Sequence, residues 1–359
     1  MTVTVGAGID AMEGGMNAGA NDTRGKRQWL NRTVTVGFIA LVAWLVVSRA
    51  QSVDWSKVMA SLREMPAAAL ALAALFAAAS YAIYACFDWF ARIYTTQVPK
   101  LRQFEIAIVS YAFNLNLGAL IGSVGFRYRL YSRSGVDAKN IARIVATSMV
   151  TNWSGYLLLG GIVFVARCVA LPPGWEIGAI GLQLVGGAML VLVAGYLVLC
   201  ARSHGKVWTF RDTTFSLPSL RMAIAQLVAS SLNWIAIAAT IWILLPDSVG
   251  FGSVLAVFLL SSVAGAMTHV PGGLGVLEAV FLALLGGTIA QHRLIAALLA
   301  FRVFYYFGPL AIAIVLYLWI EVRGRRGGAR KRRRARAERR RGKAASRTRV
   351  SGAALSRAP

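Results

Sequence analysis

Residues 269–281 read "HVPGGLGVLEAVF", and they sit inside a chain that is otherwise rich in long apolar blocks. Proline removes a backbone donor and pushes the residue before it out of helical geometry. The glycines at 272, 273 and 275 permit tight turning and close backbone approach. The stretch therefore predicts one helix ending near His269 and another beginning near Leu274. Broken backbone at membrane depth is tolerated where it is buried in protein or lines a wet cavity. The second helix would direct its positive N-terminal end at that place, where a phosphate or carboxylate is a natural guest. Glu278 falls in its first turn. It is either a carboxylate favoured by the helix dipole or a working charge, since ionisable groups inside membranes usually have a partner and a role. Arg302, about two turns into the next apolar block and followed by Tyr305, is the expected partner; the alternative is an arginine snorkelling to the interface.

The composition sets the frame for this break. Of the 359 residues, 57% are hydrophobic. A block of about 20 apolar residues spans a bilayer core. The chain reads as an all-α polytopic membrane protein, with full spans near 33–48, 66–88, 144–167, 177–199, 221–245 and 294–319. The net charge of +24 is uneven: residues 321–359 hold 16 of the 38 Lys and Arg against two acids. Such a block self-repels, so residues 321–359 are expected to be a disordered cytoplasmic tail attracted to anionic phospholipid rather than to nucleic acid. Residues 1–32 are expected to be disordered and cytoplasmic. The basic residues before the apolar run at 33–48 resemble a signal peptide, but later spans favour an uncleaved first span. Cys86, Cys168 and Cys200 have no paired spacing, and the three histidines are scattered, so no metal or other cofactor is expected.

Two apolar regions, 104–125 and 253–290, are interrupted by Gly, Pro or Asn. The first has basic residues on both sides: Arg92, Lys100 and Arg102 before it, and Arg127, Arg129, Arg133, Lys139 and Arg143 after it. Short cytoplasmic loops carry excess Lys and Arg, so a single crossing would export one flank. A re-entrant hairpin removes the conflict. Reading 253–290 as a second hairpin from the other side returns both termini to the cytoplasm. At a shift of 150 residues, Gly122 and Gly125 fall on Gly272 and Gly275, Arg143 on Arg293, and Tyr156 on Tyr306. Residues 66–167 and 220–319 would then be an inverted repeat, the architecture of many transporters. Chance alignment of apolar helices is the competing explanation.

The first hairpin, "NLNLGALIGSVGFRYRLYSR", offers Asn114, Asn116, Gly122, Gly125, Arg127, Tyr128, Arg129 and Arg133. The asparagines either line a polar path or pin helices together. The arginines are either topology charges or, alternating with tyrosines, a grip on lipid phosphates. Asp88 and Arg92 have i, i+4 spacing and read as a structural pair.

These motifs, with "AFRVFYYFGPL" at 300–310, resemble the transmembrane region of the lysylphosphatidylglycerol synthase family, a flippase-like membrane domain, over about residues 33–320. The resemblance implies lipid translocation, with Glu278, Arg127, Arg129 and Arg302 at the family's charged motif positions. Full-length relatives add a cytosolic aminoacyltransferase domain. Here only a basic tail follows residue 320, so a stand-alone, non-enzymatic member is expected. The candidate substrate-binding set is Asn114, Asn116, Gly122, Gly125, Arg127, Tyr128, Arg129, Arg133, Pro271, Gly272, Gly273, Gly275, Glu278, Arg302 and Tyr305. No GxxxxGK[ST] motif occurs, so transport across the bacterial inner membrane would be facilitated or ion-coupled. A lipid-modifying membrane enzyme and a non-transporting scaffold with a lipid-binding tail are the alternatives.

Overall fold

A computed structural model describes residues 54–169, 178–203, 207–210, 213–246, 248–268 and 270–322. The expected first span at 33–48 and both terminal tails lie outside these residues.

Short helix α1 (Trp55–Arg63) is capped by Asp54, whose side chain accepts from the Lys57 amide. Pro66 then starts α2 (Ala67–Ala85), whose alanine-rich sequence favours helix. The helical path tightens to a 3₁₀ stretch, Cys86–Tyr94. Pro99 opens α3 (Lys100–Leu117), which ends at Gly118 with φ of 85°. A π-helical stretch, Ala119–Phe126, and α4 (Arg127–Arg133) follow and pack back against α3. Asp137 caps α5 (Ala138–Val165) through the Asn140 amide. Next come α6 (Ala179–Arg202) and α7 (Leu220–Trp242), the latter capped by Ser219. Between them lies a small antiparallel pair, β1 (Val207–Phe210) and β2 (Thr213–Ser216), in what the sequence suggests is a plain basic loop. Helix α8 (Phe251–Thr268) leads to a one-turn 3₁₀ segment, Pro271–Gly273. Then α9 (Val276–Leu285) folds back onto α8. The chain ends in α10 (Gln291–Arg302), a π-helical turn at Val303–Phe307, and further helix to residue 322.

Among the described residues, six helical segments are long and apolar enough to cross a membrane: Ala67–Tyr94, Ala138–Val165, Ala179–Arg202, Leu220–Trp242, Phe251–Thr268 and Gln291–Val322. Five answer to expected full spans. The sixth, Phe251–Thr268, belongs to the second interrupted region: its uninterrupted apolar run continues for 18 residues before proline and glycine end it. Helix α6 and the last segment expose Ile180, Leu184, Val191, Ile312 and Val315, the apolar surface that a hydrocarbon surround would cover.

The order of elements recurs. A shift of 150 lays α3 on 250–267, beside α8, and lays α4 on 277–283, inside α9. Helices α2 and α7, the first of each set, pack against one another. The same shift lays Ser80 on Ser230 and Gly155 on Tyr305. Ser80 bonds Tyr305 in the structure, while a methyl group added at Gly155 would meet Ser230.

Candidate functional site

The second break is built as its residue types predict: one helix ends at Thr268, beside His269, and the next begins at Val276, two residues past Leu274. Pro271 opens the 3₁₀ turn, and Gly272, Gly273 and Gly275 adopt φ of 67°, 56° and 79°. L-residues with side chains rarely adopt such angles. The helix after the break begins at Val276, with Glu278 at its third position. Glu278 Oε2 accepts from the Gly275 amide at 2.9 Å. The protein's own carboxylate therefore occupies the helix N-terminus that the sequence leaves open for a guest.

Glu278 and Arg302 do pair. Arg302 Nε donates to Oε1 at 2.8 Å and Nη2 to Oε2 at 3.1 Å. Nη1 also donates to the Gly272 carbonyl at 2.6 Å, and Nη2 to the Gly273 carbonyl at 2.9 Å. The guanidinium lies 4.7 Å from the Tyr306 ring centroid, a cation–π distance. Arg302 thus clamps the carbonyls freed by the break, which backbone at membrane depth needs. Its side chain is 3% exposed and that of Glu278 is 24% exposed, so the carboxylate is the half of the clamp that other molecules can reach.

The first break meets the second. The Pro271–Gly273 turn packs on α3, and a Cβ at Gly272 would lie 3.3 Å from the Leu115 carbonyl oxygen. Asn116 Nδ2 donates to the Ala112 carbonyl and, at 3.3 Å, to the Tyr306 carbonyl, tying this break to the last span. Asn114 Oδ1 is buried with no hydrogen-bond partner. Gly122 sits so close to Phe113 and Asn114 that a Cβ would strike their backbone. Gly125 lies in the same π-helical stretch and is exposed.

The arginines of the first hairpin divide into two kinds. Arg127 is fully buried and bonds Asp88 twice, at 3.3 Å through Nε and 3.0 Å through Nη2. It also donates to Ser123 at 2.6 Å and Ser148 at 3.2 Å. Asp88 further accepts from the Tyr131 hydroxyl at 2.8 Å. This corrects the expected Asp88–Arg92 pair. The 3₁₀ stretch changes the angular spacing of residues 86–94, and Arg92 Nη1 donates to the Val98 carbonyl and to Gln103 Oε1. By contrast, Arg129 and Arg133 are about half exposed and share one carboxylate, Glu321. Arg129 also lies 5.6 Å from the Tyr317 ring centroid, and Tyr128 is exposed beside it.

Tyr305 does not join the Glu278–Arg302 clamp. Its hydroxyl bonds Ser80 Oγ at 2.7 Å and the Tyr111 hydroxyl at 2.6 Å, and Ser80 donates to Asn233 Oδ1 at 2.8 Å. The sequence does not mark Ser80, Tyr111 or Asn233, and it places Tyr306 only in the repeat register. Polar residues in apolar helices were the signal for the first three, but nothing in their spacing says that they converge.

Residues 33–313 match the family described as the lysylphosphatidylglycerol synthase TM region. The chain belongs to this family. It is 43% identical over 291 residues to the Inner membrane protein YbhN of Escherichia coli K12, covering 80% of this chain and 91% of that one. Uncharacterized protein slr0712 of Synechocystis is 32% identical over 265 residues, covering 72% and 81% respectively. A phosphatidylglycerol lysyltransferase of Staphylococcus haemolyticus is 23% identical over 229 residues, 61% of this chain and 25% of that protein. The protein is therefore an integral, multi-span membrane protein of the lysylphosphatidylglycerol synthase TM region family, similar over most of its length to a stand-alone inner-membrane relative.

Proposed function

We propose that this family member moves a lipid headgroup across the inner membrane without ATP hydrolysis and without modifying the lipid. The observation that carries this reading is the place where the two breaks meet. It holds a partly exposed carboxylate, Glu278, on a buried arginine whose other bonds hold the broken backbone. Polar groups at breaks between repeated units are how many transporters form a midplane site. In this reading both interrupted regions are re-entrant hairpins entering from opposite faces, the two sets of elements form an inverted repeat, and both termini are cytoplasmic.

The role of each charge is narrower than the sequence suggests. Arg127 and Arg302 hold internal carboxylates, so lipid phosphate is met first by Arg129 and Arg133 with Tyr128. These two cations share one carboxylate and so carry a surplus positive charge suited to an anionic phospholipid. Glu278 is the partly exposed partner of the buried Arg302, which makes it the candidate for ion coupling.

The test is reconstitution in liposomes containing a fluorescent phosphatidylglycerol, with reduction of the outer-leaflet dye as the readout. The wild-type protein is expected to expose inner-leaflet lipid, and Glu278→Gln to lose most of that activity while still inserting. Normal translocation by Glu278→Gln at normal expression removes Glu278 from the transport site. No translocation by the wild type across a range of headgroups removes the proposed function.

A further inference from the structure

Four buried side chains converge between α2, α3, α7 and the last span: Ser80, Tyr111, Asn233 and Tyr305. Their oxygens form the chain Tyr111–Tyr305–Ser80–Asn233, at 2.6, 2.7 and 2.8 Å. For this orientation of the Asn233 amide, proton counting sets the direction. Asn233 Oδ1 has no hydrogen, so Ser80 donates to it. A hydroxyl has one hydrogen, so Ser80 must accept from Tyr305, and Tyr305 must accept from Tyr111. All three bonds run in one sense.

The fourth edge nearly closes the figure. Asn233 Nδ2 is fully buried and has no acceptor within hydrogen-bond distance, and the open end of the chain is the Tyr111 hydroxyl. A small approach, or one bridging water, makes a closed ring in which each member donates to the next. Rotating the amide by half a turn reverses every bond and leaves the ring equally complete. Oxygen and nitrogen placement in an amide follows from such networks, and this one accepts either sense but no mixture of the two.

Membership of the ring alternates. Ser80 and Tyr111 belong to the first set of elements (67–165), and Asn233 and Tyr305 to the second (220–322). Every edge of the ring therefore crosses from one set to the other. The pseudo-equivalent junction, Ser230 against Gly155, has no side chain with which to build such a ring. We infer that the Ser80–Tyr111–Asn233–Tyr305 ring is a latch between the two halves of the molecule, one that opens as a unit when the halves move. The latch does not depend on what the protein carries.

Cooperativity is the property to test, and hydrogen exchange separates it from the coupling that shared packing also gives. Ser80 and Tyr111 share Tyr305 as a partner and do not bond each other. The full chain in detergent would be melted as wild type, Ser80→Ala, Tyr111→Phe and the double variant. The double variant is expected to melt close to the worse single variant. Simple addition of the two shifts overturns the latch, since distant independent sites add. In the closed ring Tyr305→Phe and Tyr111→Phe each remove two edges, so similar shifts are expected; a Tyr305→Phe shift about twice that of Tyr111→Phe overturns the closed ring. Hydrogen exchange supplies a readout independent of melting. Ser80→Ala is expected to speed exchange at both 114–119 and 270–276, where the halves meet. Faster exchange confined to α2 would overturn the latch even if the melting shifts agree with it.

Discussion

Asp88→Asn is the substitution that most directly separates the two pairings open to Asp88. In wild type, Asp88 and Arg127 are both fully buried, and the carboxylate accepts two guanidinium bonds and the Tyr131 hydroxyl. Asparagine keeps the shape but replaces one acceptor oxygen with a donor, which faces Arg127 in either orientation and Tyr131 as well in one of them. It also leaves the Arg127 charge with no counter-ion at zero exposure. Breaking one side of a buried pair costs about 3–5 kcal/mol. At roughly 2–4 °C per kcal/mol, the midpoint falls by an amount on the order of 10 °C. Arg92→Ala, in contrast, removes a partly buried arginine whose two acceptors are neutral and strands no buried charge, so its cost is expected to be smaller. The assay is fluorescence-detected size exclusion after heating in detergent, comparing Asp88→Asn, Arg92→Ala and Asp88→Leu with Arg127→Met. Replacing a buried pair by apolar residues of similar volume is often tolerated, so the apolar double variant is expected to be more stable than Asp88→Asn. If Asp88→Asn shifts the midpoint less than Arg92→Ala, or the double variant is worse than Asp88→Asn, the buried-pair reasoning is refuted.

Further outcomes follow from the same contacts. Single cysteines at Gln97 and Ser134, in a cysteine-free background, are both expected to react only from the cytoplasmic face. Labelling of the Ser134 site from outside sinks the re-entrant reading of 104–125. Arg302→Lys is expected to retain more translocation than Arg302→Ala, because charge persists while the fork that spans Glu278 and two carbonyls is lost; equal loss would mean that charge contributes nothing at this position. Gly122→Ala drives a methyl into the backbone of Phe113 and Asn114 and is expected to cost about 1–3 kcal/mol, measured by the same heating assay. Gly125→Ala, on an exposed turn, is expected to be milder.

The helices were legible because their signals are local. Apolar runs, Pro66 and Pro99 at starts, and Gly118 at an end need no knowledge of the rest of the chain. The second break was legible for the same reason, and Glu278 was matched to Arg302 because few other charges lie in those apolar blocks. Spacing alone points Asp88 to its nearest basic neighbour, one turn away, while its partner in the structure lies 39 residues on, brought close by the fold-back of α3 and α4. Helical spacing predicts a bond only while the helix stays α, and residues 86–94 do not. The Ser80–Asn233 contact spans 153 residues and depends on α2 meeting α7, which no periodicity records.

The shared carboxylate at Glu321 has a consequence of its own. Arg129 and Arg133 are about half exposed where they meet it, and charges open to solvent are screened over about 8 Å at physiological ionic strength. Asp88 and Arg127, sealed from solvent, feel almost none of that screening. The first hairpin is therefore tied down by two arginine contacts of opposite temperament. One fastens it to the end of the last span and slackens in concentrated salt. The other fastens it to the end of α2's span and ignores the buffer. A preparation moved from dilute to concentrated salt would free one edge of the hairpin while its root stays anchored.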